Sequence, residues 1–381
     1  MTIASDFAPF PPAAVPGQPL ADVDTPTLLL DLDAFERNLD RMQAAARVAG
    51  VQLRPHAKAH KCPAVALAQV ARGAAGVCCQ KASEALPFLQ AGVRDVHISN
   101  ELASPAKARP VAQWARHARL SVCVDDGAQI DALAAATREA GSRLDVLVEL
   151  DIGQGRCGVA DASAVLRLLE RLAVHPQLSF HGLQAYQGGL QHLRSREERR
   201  EQALRAAERA GRAVAALESA GVRCATVTGG GTGSVEFDLE SGVYTELQPG
   251  SYAFMDRDYA DNEAGSLRFE HALFVATRVM SSAAGTHAVV DAGLKSLTLE
   301  CGLPVLWPRE GALRYTQAND EHGLVAVDAA NAGTTLLPLG SLLRLVPGHC
   351  DPTFNLHDQI VTFRGGTVED VWPIAARGLS R

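Results

Sequence analysis

Between about residue 25 and residue 250, short apolar runs alternate with longer stretches whose apolar positions recur at helical spacing. The short runs fall at 27–30, 51–54, 76–79, 95–98, 120–124, 144–149, 178–184 and 224–228. Amphipathic stretches rich in Ala, Leu and Arg fall at 33–49, 62–72, 83–91, 105–116, 127–140, 160–174 and 194–220. Strands that alternate with helices predict parallel βαβ units. About eight units in this length fit a (β/α)8 TIM-type barrel over 25–262 better than an open doubly wound sheet. After about residue 265 the runs 272–279, 288–291, 323–327, 342–346 and 359–363 are separated by Gly, Pro, Asn and Asp. No long helix is predicted there, so 263–381 reads as a C-terminal all-β domain. Residues 1–24 carry Pro9, Pro11, Pro12, Pro16 and Pro19 and read as a flexible N-terminal arm. They lack the basic and apolar blocks of a signal peptide.

Composition narrows the function classes. The 381 residues are 47% hydrophobic and carry 36 basic against 43 acidic side chains, a net charge of −7. No basic stripe is interleaved with aromatics, which argues against nucleic-acid binding. No run of eighteen apolar residues occurs, so no membrane-spanning helix is predicted. The eight cysteines are scattered without a CxxC pair and read as reduced thiols, consistent with a cytoplasmic protein.

In a parallel barrel, chemistry gathers at the C-terminal ends of the strands. After the 51–54 run comes Pro55-His56-Ala57-Lys58-Ala59-His60-Lys61. A lysine on a rigid strand end, with its pKa lowered, can attack a carbonyl as a free amine. The same composition also fits a solvated loop. After 144–149 comes Arg156 among glycines, and after 178–184 come Tyr186, Gln187 and His192. Thr228-Gly229-Gly230-Gly231-Thr232-Gly233-Ser234 closes the next run, followed by Gly250, Ser251 and Tyr252. Glycine-rich loops with hydroxyls suit a phosphate, and in barrels phosphate sites follow the last strands; a tight turn is the plainer reading. Neither a Walker loop nor a Rossmann fingerprint is present. A carbonyl-binding lysine, a phosphate cradle and a strand-end arginine together point to pyridoxal 5'-phosphate (PLP). Lys58 would bind its aldehyde, and Thr228, Gly230, Gly231, Thr232, Gly250, Ser251 and Tyr252 would hold its phosphate. Arg156 would face its ring nitrogen and keep it unprotonated.

Gly348-His349-Cys350-Asp351 lies in the β-rich part. On an extended chain His349 and Asp351 point to one face and Cys350 to the other. A His/Asp pair suits a divalent ion such as Mn2+, Mg2+, Co2+ or Zn2+. Two ligands make a thin site, and a polar turn fits the same residues.

These stretches resemble the D-threonine aldolases and 3-hydroxy-D-aspartate aldolases, within the fold-type III, alanine-racemase-like PLP enzymes. The matching segments include Asp24-Thr25-Pro26, 54–61, 77–81, 153–158, Gln184-Ala185-Tyr186, 228–234, 250–256, 291–295, 320–323 and 346–352. The resemblance implies a PLP barrel, a C-terminal β domain, a homodimer and dependence on a divalent cation, with Mn2+ expected first. By matching position, Lys58 resembles the Schiff-base lysine, Arg156 the ring-nitrogen partner, and His349 and Asp351 the metal ligands. Tyr186 and His192 resemble active-site residues.

The implied reaction is retro-aldol cleavage of D-β-hydroxy-α-amino acids, with D-threonine giving glycine and acetaldehyde. His192 is the candidate base for the β-hydroxyl, and a surface-loop histidine is its plain alternative. His56 and His60 are expected to shape the cofactor pocket. Other activities on this fold are cleavage of 3-hydroxy-D-aspartate to glycine and glyoxylate, and dehydration of D-serine or 3-hydroxyaspartate. The dehydratase-type relatives look to favour His-x-Cys at the metal, where this chain has Asp351. A racemase would need two opposed bases and no metal. A non-catalytic PLP-binding protein would consist of the barrel alone.

Overall fold

The computed structural model describes residues 10–308, 312–327 and 337–381. Eight parallel strands build one sheet: β2 (Gln52–Leu53), β3 (Val77–Cys79), β4 (Asp95–Glu101), β5 (Arg119–Val124), β6 (Leu144–Glu149), β7 (Leu178–Ala185), β8 (Thr226–Gly229) and β9 (Glu246–Leu247). Their order is β2-β9-β8-β7-β6-β5-β4-β3. A bridge between His56 and Cys78, with the Cys78 amide donating to the Pro55 carbonyl at 2.9 Å, joins the two ends and closes the barrel.

The second sheet has nine described strands: β1 (Thr27–Asp31), β10 (Leu273–Ser281), β11 (His287–Val290), β12 (Val305–Trp307), β13 (Leu313–Ala318), β14 (Gly323–Val327), β15 (Leu342–Val346), β16 (Gln359–Arg364) and β17 (Thr367–Pro373). One expectation fails here. The run 27–30 was expected to open the barrel, but β1 pairs antiparallel with β10 and parallel with β16. Leu28, Leu29 and Leu30 are fully buried, which suits a central strand of either sheet, so the run itself does not say which sheet takes it. The eighth barrel strand is instead Glu246–Leu247, two residues long and carrying a charge.

The arm meets a second difference. Over its described part, the Gly17 amide donates to Val368 and the Leu20 amide to Gly366, while Ala14 and Val23 are buried. Its prolines suit an edge segment laid along β17, where few backbone donors are needed.

Local signals explain how the chain leaves β1. Asp31 caps the helix Leu32–Ala49 by accepting the amides of Asp33 and Ala34, and Gly50 ends it at φ 70°. Phe35, Leu39, Met42 and Ala46 repeat at helical spacing and are buried. Each such large apolar side chain stabilises the fold by about 1.5–3 kcal/mol.

The barrel interior is polar where the site sits. The guanidinium of Arg54 reaches Glu246 at 2.9 Å and Asp95 at 2.6 Å. Thr228 donates to Glu246 at 2.9 Å, and Gln248 donates to both Thr228 and Gln184. Every partner in this layer is satisfied from another strand, so it fixes strand order as well as filling space. No described helix is long and apolar enough to cross a membrane.

Candidate active site

Lys58 sits in a single helical turn, Ala57–Ala59, at the end of β2. His56 caps that turn by accepting the Lys58 amide on Nδ1 at 3.3 Å, and its Nε2 meets Ser99 Oγ at 3.2 Å. His60 accepts the Cys62 amide at 3.0 Å and packs edge-on against Phe88. Burial drives the His56 imidazole well below its ordinary value and His60 down to about 3, so both are neutral scaffolding. From the second sheet's side, the Ala376 amide donates to Lys61 O, and Asn355 accepts from Lys61 Nζ at 3.2 Å. The turn is therefore held from both folding units.

Tyr186, at the end of β7, lies close to two cations. Lys58 Nζ lies 5.9 Å from its ring centre and the Arg156 guanidinium 5.7 Å. Lys58, Tyr186 and Arg156 thus line one opening at the strand ends. The expected lowering of the lysine pKa is not what the site produces. Burial lowers it, but Tyr186 and Asp351 outweigh burial and the net direction is upward. Asp351 comes from the β domain, so its charge could not be anticipated at Lys58 from local sequence.

The glycine loops fall beside this opening with divided roles. The hydroxyls of Thr228 and Ser251 are committed, to Glu246 and to Asp351 respectively. The Tyr252 ring is buried, with its hydroxyl 3.3 Å from Gln69, and does not face the site. Its amide donates to Thr232 Oγ1 at 3.0 Å and ties the two loops together. A side chain could not be added along these loops. A Cβ on Gly233 would lie 2.2 Å from the Gln191 carbonyl, and one on Gly250 2.8 Å from that of His56. The amides of Gly230, Thr232 and Ser251 donate to no acceptor among the described residues. Adjacent loops with unused amides, beside a lysine and an arginine bracketing an aromatic ring, fit PLP: phosphate, aldehyde and ring nitrogen each have a donor of suitable type.

The metal-ligand candidates adopt a different local form from that expected. His349 is extended, but Cys350–Phe354 is a short helix, so His349 and Asp351 do not alternate on a strand. His349 Nδ1 lies 2.8 Å from Asp256 Oδ2, which also accepts the Cys350 amide. Asp256 and the neighbouring charge of Asp351 outweigh burial and hold the His349 imidazolium up to about 9. The donor atoms of Asp256, His349 and Cys350 lie within 4.8 Å of one another. Asp256 is already spent on His349 and a backbone amide, and burial pushes the Cys350 thiol far up. Asp256 therefore orients the imidazole, leaving His349 Nε2 and the Asp351 carboxylate as the donors available to a cation.

His192 ends a helical turn, Gly189–His192, and its Nδ1 pairs with Asp258 Oδ2. Arg194 pairs with the other oxygen of Asp258. Burial raises the Asp258 carboxyl, but His192 and Arg194 overcome it and hold it at about 2. The His192 ring centre is 6.4 Å from that of His349 and 5.6 Å from that of Tyr259. An imidazole whose Nδ1 is held by a carboxylate presents Nε2 as a base.

Sequence reading missed Asp256 and Asp258. They stand in Met255-Asp256-Arg257-Asp258, next to the glycine-loop segment, but nothing in the local pattern distinguishes them from solvated turn residues. It also missed Glu149 and Glu101, which lie behind Arg156.

Residues 30–258 match the family model for the alanine racemase N-terminal domain, and a serine dehydratase domain model matches 272–363. The chain is 56% identical over 372 residues to the D-threonine aldolase of Arthrobacter sp, covering 97% of each chain. It is 45% identical to the 3-hydroxy-D-aspartate aldolase of Paracoccus denitrificans (strain Pd 1222), covering 96% of this chain and 95% of that one. The crystal structure of D-threonine aldolase from Filomicrobium marinum superposes with a TM-score of 0.93 at 49% identity, covering 98% of this chain and all of the other.

Proposed function

Because this chain belongs to the D-threonine aldolase family, built on an alanine-racemase-type barrel, we propose that it is a carbon–carbon lyase cleaving D-β-hydroxy-α-amino acids. D-threonine is the preferred substrate in this reading, giving glycine and acetaldehyde. The observation that carries it is the approach of His192 to His349, with ring centres 6.4 Å apart, beside an Asp351 whose charge reaches Lys58. A base, a cation seat and a carbonyl-binding lysine then serve one substrate carrying both an amine and a β-hydroxyl.

When bound, PLP supplies a conjugated electron sink for the pair released as the Cα–Cβ bond breaks. Lys58 would hold that cofactor through Nζ, at the place where the substrate amine has to reach it. Tyr186, whose ring centre is 5.9 Å from Lys58 Nζ and 5.7 Å from the Arg156 guanidinium, would limit how the cofactor ring can tilt. Arg156 cannot give up its proton, so a ring nitrogen facing it would stay unprotonated. The unused amides of Gly230, Thr232 and Ser251 would hold the phosphate. His192 Nε2 takes the β-hydroxyl proton while Asp258 holds Nδ1–H, and the hydroxyl carbon leaves as the aldehyde. Protonation at Cα then completes glycine.

His349 Nε2 and Asp351 would hold a divalent cation, Mn2+ by the hardness of an oxygen and an imidazole donor, and it would acidify the hydroxyl it faces. A cation there also neutralises Asp351, removing one cause of the raised Lys58 pKa.

Dehydration is the rival reading on the same fold. A carboxylate at 351 favours aldol cleavage, and the neighbouring thiol of Cys350 is fully buried. The deciding assay offers D- and L-threonine, D-serine and 3-hydroxy-D-aspartate with and without Mn2+. Glycine plus an aldehyde is expected; a keto acid plus ammonia would overturn the proposal. We also propose a homodimer, which sedimentation of the holoenzyme tests directly.

A further inference from the structure

We propose that Glu149 is a positioning residue for Arg156, and that Glu149 and Glu101 hold one proton between them. The first half rests on the PLP reading above; the second does not. Glu149 is the last residue of β6, and its carboxylate lies 3.6 Å from Arg156 Nη2. Arg156 is otherwise on an open loop, with 44% of its side chain exposed, whereas the Glu149 side chain is 6% exposed. The strand-end carboxylate therefore anchors the exposed cation.

Glu101 approaches from the end of β4, close enough to hydrogen-bond with Glu149 once one of them is protonated. Its Oε1 is buried and accepts no hydrogen bond among the described residues, while the Cys157 thiol is within hydrogen-bonding reach of the carboxylate. Two ionised carboxylates cannot share so dry a space, and a single shared proton supplies the missing donor. The other charged and titratable groups facing the pair do not change this. Asp125 and Cys157 have donor atoms within 4.8 Å of Glu101, and Asp125 adds a further negative charge. Cys123, on β5, is buried and stays a thiol. Arg156 is the cation that acts on Glu149 among its largest influences. Burial and Glu101 hold the Glu149 carboxyl well above its usual range.

With one proton on the pair, one negative charge balances Arg156. Loss of that proton adds a second negative charge behind the ring-nitrogen partner. Glutamine reproduces the protonated acid, offering an oxygen to Arg156 and an N–H to Glu101.

Two readouts test this on the holoenzyme and on the cofactor-free protein. Infrared difference spectra of wild type against Glu149→Gln, titrated from about pH 6 to about pH 10, should contain a protonated-carboxyl band that vanishes with alkali. Identical spectra in that region overturn the shared proton. In PLP titrations, Glu149→Gln and Glu101→Gln should stay near wild-type affinity, while Glu149→Ala should lose about tenfold or more. Its cofactor absorbance maximum should also shift. Equal loss in the Gln and Ala variants, or none in Ala, overturns the positioning role. A wild type that binds no PLP overturns the parent reading and the positioning role together, and the infrared comparison still decides the shared proton.

Discussion

His349 Nδ1 and Asp256 Oδ2 are 2.8 Å apart, although 93 residues separate them in sequence. Two residues further along, Asp258 holds His192 in the same way. The two aspartates flank Arg257 around the start of one short helix, Arg257–Ala260, which Asp256 itself caps through the Tyr259 amide at 3.0 Å. One turn of chain therefore sets the orientation of both imidazoles, and a shift of that turn moves both rings together.

Asp258→Asn should leave His192 in place but free to take the other tautomer. A drop in kcat of about 10²–10⁴-fold is expected, within the range for a positioned base, with PLP affinity unchanged. Steady-state kinetics and a PLP titration on the same preparation check it. An equal loss in both would mean that Asp258 only holds the fold.

Asp256→Asn should weaken the cation rather than abolish the site. About 10–100-fold more Mn2+ is expected for half-maximal activity, with near-normal turnover at saturation. A Mn2+ activation curve measures this directly. Chelation of the wild type should remove activity while the visible absorbance of the bound cofactor persists.

Gly233→Ala places a Cβ against the Gln191 carbonyl, next to His192. The Gly233 amide also donates to Gln191 Oε1 at 2.9 Å, so the clash separates two loops that are joined in the native fold. A loss of about 1–3 kcal/mol in urea unfolding is expected, as for other overpacked positions, together with weaker PLP binding. Unchanged PLP binding would exclude this loop from the phosphate site.

Asp238 lies beneath the same loop, buried, and accepts from Ser234 Oγ with no cation paired to it among the described residues. Burial raises its carboxyl to about 7 despite that hydrogen bond. A raised folded-state pKa contributes stability that is complete below the ordinary carboxyl range of about 4 and is lost as pH rises through the folded value. Wild type should therefore lose stability between about pH 5 and about pH 8, and Asp238→Asn should lack that part of the slope. Thermal unfolding across that range, in wild type and variant, makes the comparison.

The alternation of apolar runs and amphipathic stretches was enough to read a parallel barrel followed by a β domain, because buried strands and one-sided helices leave periodic signatures. Strand-end position likewise predicted that Lys58, Arg156 and Tyr186 would come together, since barrel geometry sends those positions to one face. Three things required the folded chain. Residues 27–31 carry no mark of the sheet they join, because a run buried on both faces suits either one. The charge balance at Lys58 depends on Asp351, which arrives from another domain. The roles of Asp256, Asp258 and Glu149 come from partners far away in sequence, or in a loop, and an isolated carboxylate looks the same in sequence whether it faces water or an imidazole. Local sequence dictates periodicity and turn chemistry; only tertiary packing decides which charges meet, because electrostatic partners are chosen by distance in space.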